Sequence, residues 1–160
     1  MNVYEFAKQM EQDGKAFYEK MAAQTADPGV RQILTMLADD EAKHYEIVQQ
    51  LEKQATAPEM APTDILANAR NVFAQMQGQS LELGGLQVAV YRQAQELEQK
   101  SRDFYRERAG ASQNAAHKAL FLKLADEEQR HYFLLDHMIE FVDRPRTWIE
   151  DAEFNHLQAY

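Results

Sequence analysis

Apolar and small residues recur at Val3, Phe6, Ala7, Met10, Gly14, Phe17, Tyr18 and Met21. Steps of three and four residues put them on one helical face, so the pattern predicts a helix over about 3–23. Asp27 is a good N-cap and Pro28 a good first helical residue. A second stripe, Ile33, Leu34, Leu37, Ile47, Val48 and Leu51, carries the next helix to about Gln54. "ATAPEMAP" breaks it. Thr63 or Asp64 can cap a short helix, "ILANARNVFAQM", and "QGQSLELGG" is a further break. Helical spacing resumes from about Leu86 to Arg108. "AGASQN" turns the chain, with Ser112 a candidate cap, and the last long helix runs to about Val142. The end, "DRPRTWIEDAEFNHLQAY", is a tail with some helical character and a single Trp. No stretch alternates as a strand does.

Four long helices result, in two hairpins with short loops, over 3–54 and 86–142. A long crossover (55–85) joins them, and a tail (143–160) follows. Helices joined by short loops pack antiparallel, and two hairpins with one long crossover have the ferritin-like topology. The expected fold is therefore all-α: a ferritin-like antiparallel four-helix bundle, in one domain over 1–160.

The two hairpins repeat each other. "LADDEAKHY" begins at Leu37 and "LADEEQRHY" at Leu124, and six of the nine positions are identical. The same offset maps Glu41 onto Glu128, His44 onto His131, Glu11 onto Glu98 and Phe17-Tyr18 onto Phe104-Tyr105. Residues three apart share a helix face, so each Glu-x-x-His pair points one way, beside Leu37, Leu51, Leu124 and Leu135. Glu11 falls in the stripe Tyr4, Ala7, Gly14, Tyr18, and Glu98 in the stripe Tyr91, Ala94, Ser101, Tyr105. Each of two helices thus directs one Glu inward, and each of the other two directs a Glu-x-x-His. Four carboxylates in a dry core need compensating charge. Two divalent cations provide it, and the two His add neutral nitrogen donors that suit iron, manganese or zinc. This ligand set is the one known for di-iron and di-manganese carboxylate bundles.

On Glu11, Glu41, His44, Glu98, Glu128 and His131, with the paired Phe17-Tyr18 and Phe104-Tyr105, the chain resembles a rubrerythrin-type member of the ferritin-like superfamily. The resemblance covers about 3–54 and 86–142. It implies two iron ions per chain, with manganese or zinc as other occupants. Glu41 and Glu128 would bridge the ions, Glu11 and Glu98 would be terminal carboxylates, and His44 and His131 would each cap one ion. The implied activity is reduction of hydrogen peroxide or dioxygen in oxidative-stress defence, by a homodimer or larger homo-oligomer. Ferrous iron oxidation and storage is the alternative, and a bundle using metal for stability alone is a second. Two rubrerythrin features are missing. Without Cys there is no rubredoxin module, so electrons would come from a separate donor protein. Ser101 stands where rubrerythrins carry a further Glu on the third long helix.

Other residues keep two readings. Asp40 and Glu127 directly precede the bridging acids. They are either solvated, or accept from the His of the opposite helix, Asp40 from His131 and Glu127 from His44, fixing the ring tautomer. Tyr18 and Tyr105 are core aromatics or donors to a ligand carboxylate. Gly14 and Ser101 leave room for a small oxidant or relieve packing. His117, His137 and His156 have no match in the repeat and are surface or packing residues.

Composition narrows the rest. At 160 residues with 45% hydrophobic content the chain can bury a core. Gly (6) and Pro (4) are scarce, as a helical protein requires. A net charge of -9 argues against nucleic acid or an anionic membrane as partner. The absence of Cys excludes disulfides, thiolate metal sites and a Cys nucleophile. The N-terminus lacks a signal-peptide pattern, and no run approaches the ~20 apolar residues of a membrane span. The cytoplasm is the expected compartment.

Overall fold

The computed structural model describes residues 2–53, 63–75 and 88–143, together with Pro58 and Met60. Five helices and no strand occur among them: α1 (Val3–Gln24), α2 (Pro28–Lys53), α3 (Ile65–Gln75), α4 (Val88–Ala111) and α5 (Ala115–Asp143). The fold is the expected all-α, ferritin-like bundle. Most of the crossover and nearly all of the tail, with Trp148 and His156, lie outside the described residues. No described helix is long and apolar enough to cross a membrane.

Local chemistry sets the ends of each helix. Asn2 accepts from the Glu5 backbone N–H at 2.8 Å, and Glu5 accepts from that of Asn2, a reciprocal cap that starts α1. Asp27 Oδ1 accepts from the N–H groups of Gly29 and Val30, as its position before Pro28 foretells. Arg31 reaches back to the carbonyls of Ala22 and Thr25, satisfying acceptors left open where α1 ends. Two expectations are corrected. Asn114, and not Ser112, caps α5, through Ala116 and His117. Ser112 instead makes a local turn with Asn114, because α4 continues to Ala111, past the expected Arg108. The periodicity puts Phe6 on the apolar stripe with Ala7 and Gly14, but Phe6 is 46% exposed, while Ala7 and Gly14 face the core as expected.

The core is divided. One apolar cluster gathers Met21, Leu34, Leu37, Phe73, Ala94 and Leu135 with their neighbours. A second gathers Ala7, Val48, Leu51, Tyr105, Phe121 and Leu124. Each draws on all four long helices. Along α2, Leu37 belongs to the first and Val48 to the second; along the antiparallel α5, Leu124 belongs to the second and Leu135 to the first. Glu41, His44, Glu128 and His131 lie in sequence between these anchors. The Glu/His residues therefore form a polar layer across the middle of the bundle. α3 packs on the first cluster through Ile65, Ala69, Val72 and Phe73.

Candidate metal centre

All six sequence-selected residues are buried, none more than 3% exposed. They fall into two overlapping groups. Glu11, Glu41, His44 and Glu128 bring one ligand atom each within 4.8 Å of one another, and so do Glu41, Glu98, Glu128 and His131. Glu41 and Glu128 belong to both. The His44 and His131 rings stack across the layer, with centroids 5.8 Å apart and planes 12° from parallel.

Each His is held from behind by the opposite hairpin. His44 Nε2 donates to Glu127 Oε1 at 2.7 Å, and His131 Nε2 donates to Asp40 Oδ2 at 2.9 Å. A carboxylate only accepts, so Nε2 carries the proton and Nδ1 is the atom turned to the cluster. His44 Nδ1 lies 2.8 Å from Glu128 Oε1, and His131 Nδ1 lies 3.1 Å from Glu41 Oε1. The tyrosines cross in the same way. Tyr18 donates to Glu98 at 2.5 Å and Tyr105 to Glu11 at 2.6 Å. Of the two readings open for Asp40, Glu127, Tyr18 and Tyr105, the geometry realises the hydrogen-bonded one. His117 and His137 are not part of the cluster.

Thr63 is the residue that the periodicity did not single out for this site. Its hydroxyl donates to Asp40 Oδ2 at 2.6 Å while accepting from Ile65 N–H. The start of α3 thus props the acid that props His131. A cap candidate was legible there; its contact with a residue 23 positions earlier was not.

The side chains divide their charge in a definite way. Burial raises the Glu41 and Glu128 carboxyls well above the usual range, and the neighbouring acids add to it. Burial pulls the same way on Glu98, but the charge on His131 and hydrogen bonds from Glu128, His131 and Tyr18 prevail and bring it to about 2. Glu11 is likewise lowered against burial, through His44, Glu41 and Tyr105. Burial opposes charge on His131, yet Glu98 and Asp40 raise it to about 9; against the same opposition, Glu11 and Glu127 raise His44 well above its usual value. These biases favour the charged forms of His44, His131, Glu11 and Glu98 and disfavour charge on Glu41 and Glu128, so protons as well as cations relieve repulsion within the layer.

The model of the Rubrerythrin family matches residues 2–139. The chain belongs to that family. No match was found among curated proteins or among solved structures. The matched span contains every residue of the cluster. As a rubrerythrin, the chain offers a donor set that fits two ions: four carboxylates, two imidazole Nδ1 atoms and two acids common to both groups. Glu11 Oε2 and Glu98 Oε2 are buried inside the layer, and Glu11 Oε2 lies 3.5 Å from His44 Nδ1, so both oxygens are placed among the groups that would share a cation. Gly14 preserves the fit, since a Cβ there would stand 3.3 Å from Glu41 Oε2.

Proposed function

We propose that this rubrerythrin holds two iron ions between its four long helices and reduces hydrogen peroxide with electrons from a separate donor protein. The observation that carries the reading is the sharing of Glu41 and Glu128 by both ligand groups. In this reading Glu11 and His44 would serve one ion, Glu98 and His131 the other, and Glu41 and Glu128 would bridge. A ferrous pair supplies two electrons together to one O–O bond. The protein's own groups prepare that step. Glu127 and Asp40 keep each Nδ1 free of a proton when metal is bound. Tyr18 and Tyr105 fix the orientation of Glu98 and Glu11, so the ligand oxygens are in place in advance. The apolar clusters flank the layer and leave its six Glu and His residues no more than 3% exposed, which strengthens the electrostatic contacts within it.

Anaerobic ferrous reconstitution followed by stopped-flow mixing tests the proposal. We expect two ferrous ions per chain, oxidised faster by hydrogen peroxide than by dioxygen. Faster oxidation by dioxygen, with further ferrous iron then consumed beyond two per chain, would replace this reading with iron oxidation and storage.

A further inference from the structure

A cleft of about 430 Å³ opens between α1 and α4 and ends on Glu41, Glu98 and Glu128. Its size is that of a small-molecule site, whereas a water takes only about 30 Å³ of liquid volume. Hydrogen peroxide needs little more than that, so the cleft is too large for it alone. The walls are apolar: Met10 and Leu97 face it, and Phe6 and Phe104 form a tilted ring pair, centroids 5.0 Å apart, beside it. Phe6 is one of only two large hydrophobic residues exposed among those described. Such a wall gives nothing to peroxide and much to a hydrocarbon. Toward solvent the cleft has three acids, Asp13, Asp103 and Glu107, against Lys100. In a chain of net charge -9 this repels anions. Glu98 lines the cleft at its inner end, beside Glu41 and Glu128.

We propose that the α1–α4 cleft is a substrate site for small, neutral organic hydroperoxides, with the hydrocarbon group against Phe6, Met10, Leu97 and Phe104 and the O–O group at the carboxylate layer. The inference rests on the peroxide reading above and names its substrate class. The reaction balances as ROOH + 2 e⁻ + 2 H⁺ → ROH + H₂O. The O–O bond breaks and two O–H bonds form. An iron pair at the carboxylate layer would supply both electrons, a separate donor protein would restore them, and water would supply the protons.

Two measurements test it, with cumene hydroperoxide and its product alcohol, 2-phenyl-2-propanol, as probes. In calorimetry the full chain loaded with redox-inert zinc should bind the alcohol. The 4-carboxylate of that alcohol should bind at least tenfold more weakly. Leu97→Trp and Met10→Trp fill the cleft from α4 and α1 respectively, and each should weaken alcohol binding at least tenfold with helical circular dichroism retained. Either variant suffices if the other fails to fold. In anaerobic stopped-flow, the ratio of cumene hydroperoxide to hydrogen peroxide oxidation rates should fall at least tenfold in the filled variants. Absence of alcohol binding, or binding indifferent to both fillings, overturns the cleft assignment. Oxidation by hydrogen peroxide but not by cumene hydroperoxide also overturns it and leaves the peroxide reading intact. Alcohol binding without oxidation by either peroxide overturns the peroxide reading itself and, with it, the substrate class.

Discussion

At the scale of single residues, shared and unshared ligands should part company. Glu41 and Glu128 stand in both of the groups that could hold a metal, whereas His44 and His131 stand in one each. We expect Glu41→Ala to leave close to no iron bound, and His44→Ala to retain about one ion per chain, by elemental analysis after anaerobic reconstitution. Equal retention in both variants would contradict the bridging assignment. The burial and grouping of these six positions are legible in the sequence because the hairpin repeats without a gap. One Glu-x-x-His says little, but two of them at the offset that also pairs Glu11 with Glu98 define a constellation. The partners of the imidazoles and carboxylates were legible as candidates only. Nothing in the stripe around Tyr18 says whether its hydroxyl meets Glu98 or sits idle among apolar neighbours. That depends on how the hairpins cross, and the crossing brings together residues 80 positions apart.

At the scale of elements, the crossover breaks the symmetry that the two hairpins share. Thr63, at the entrance to α3, donates to Asp40; among the described residues no hydroxyl does the same for Glu127. Among the described residues the His131 side is therefore braced by one more element than the His44 side. We expect Thr63→Val to weaken one of two metal-binding steps by roughly tenfold or less, since outer partners typically change affinity by 10–100-fold and Thr63 lies one contact further out. Chelator competition would show it as a second, weaker phase; equal weakening of both steps would refute the asymmetry. Helix α3 itself could be foreseen, for its apolar residues recur at helical spacing and Pro and Gly flank it. Its docking site could not, because a short stripe names a face and not the partner of that face. Phe6 errs in the other direction. Helical spacing groups it with Ala7 and Met10, but α1 turns Ala7, Glu11 and Gly14 inward and leaves Phe6 beside the cleft.

At the scale of the whole molecule, metal and protons compete for one layer. Two divalent ions would favour the deprotonated forms of Glu41, Glu128, His44 and His131, so calorimetry in buffers of different ionisation enthalpy should find protons released on loading near neutral pH. Release of none would mean the layer is already deprotonated. The imidazoles also set how the chelator-treated protein responds to pH. A His with a raised folded pKa stabilises fully below its unfolded value, and loses that contribution as pH rises through the folded one. His131 places the window between about 6.5 and about 9. We expect the melting temperature of the chelated protein to fall across it, while the gain on adding metal grows; a flat or rising profile would count against the assignment. The divided core has one more consequence, and it concerns time. Among the described residues eighteen buried side chains make up the cluster that takes in α3, four of them from α3 itself, against ten in the other. Counted over the described residues, the smaller half buries fewer apolar side chains and has less to hold it shut. Bound ions would tie all four helices at mid-length and suppress its breathing. In the chelated protein, hydrogen exchange should quicken first at amides near Ala7, Leu51, Ala109 and Leu120, and only later around Leu34 and Leu135. Release of metal would then be limited by the opening of that half, so the dissociation rate and the exchange rate of those amides should rise together in any variant that loosens it.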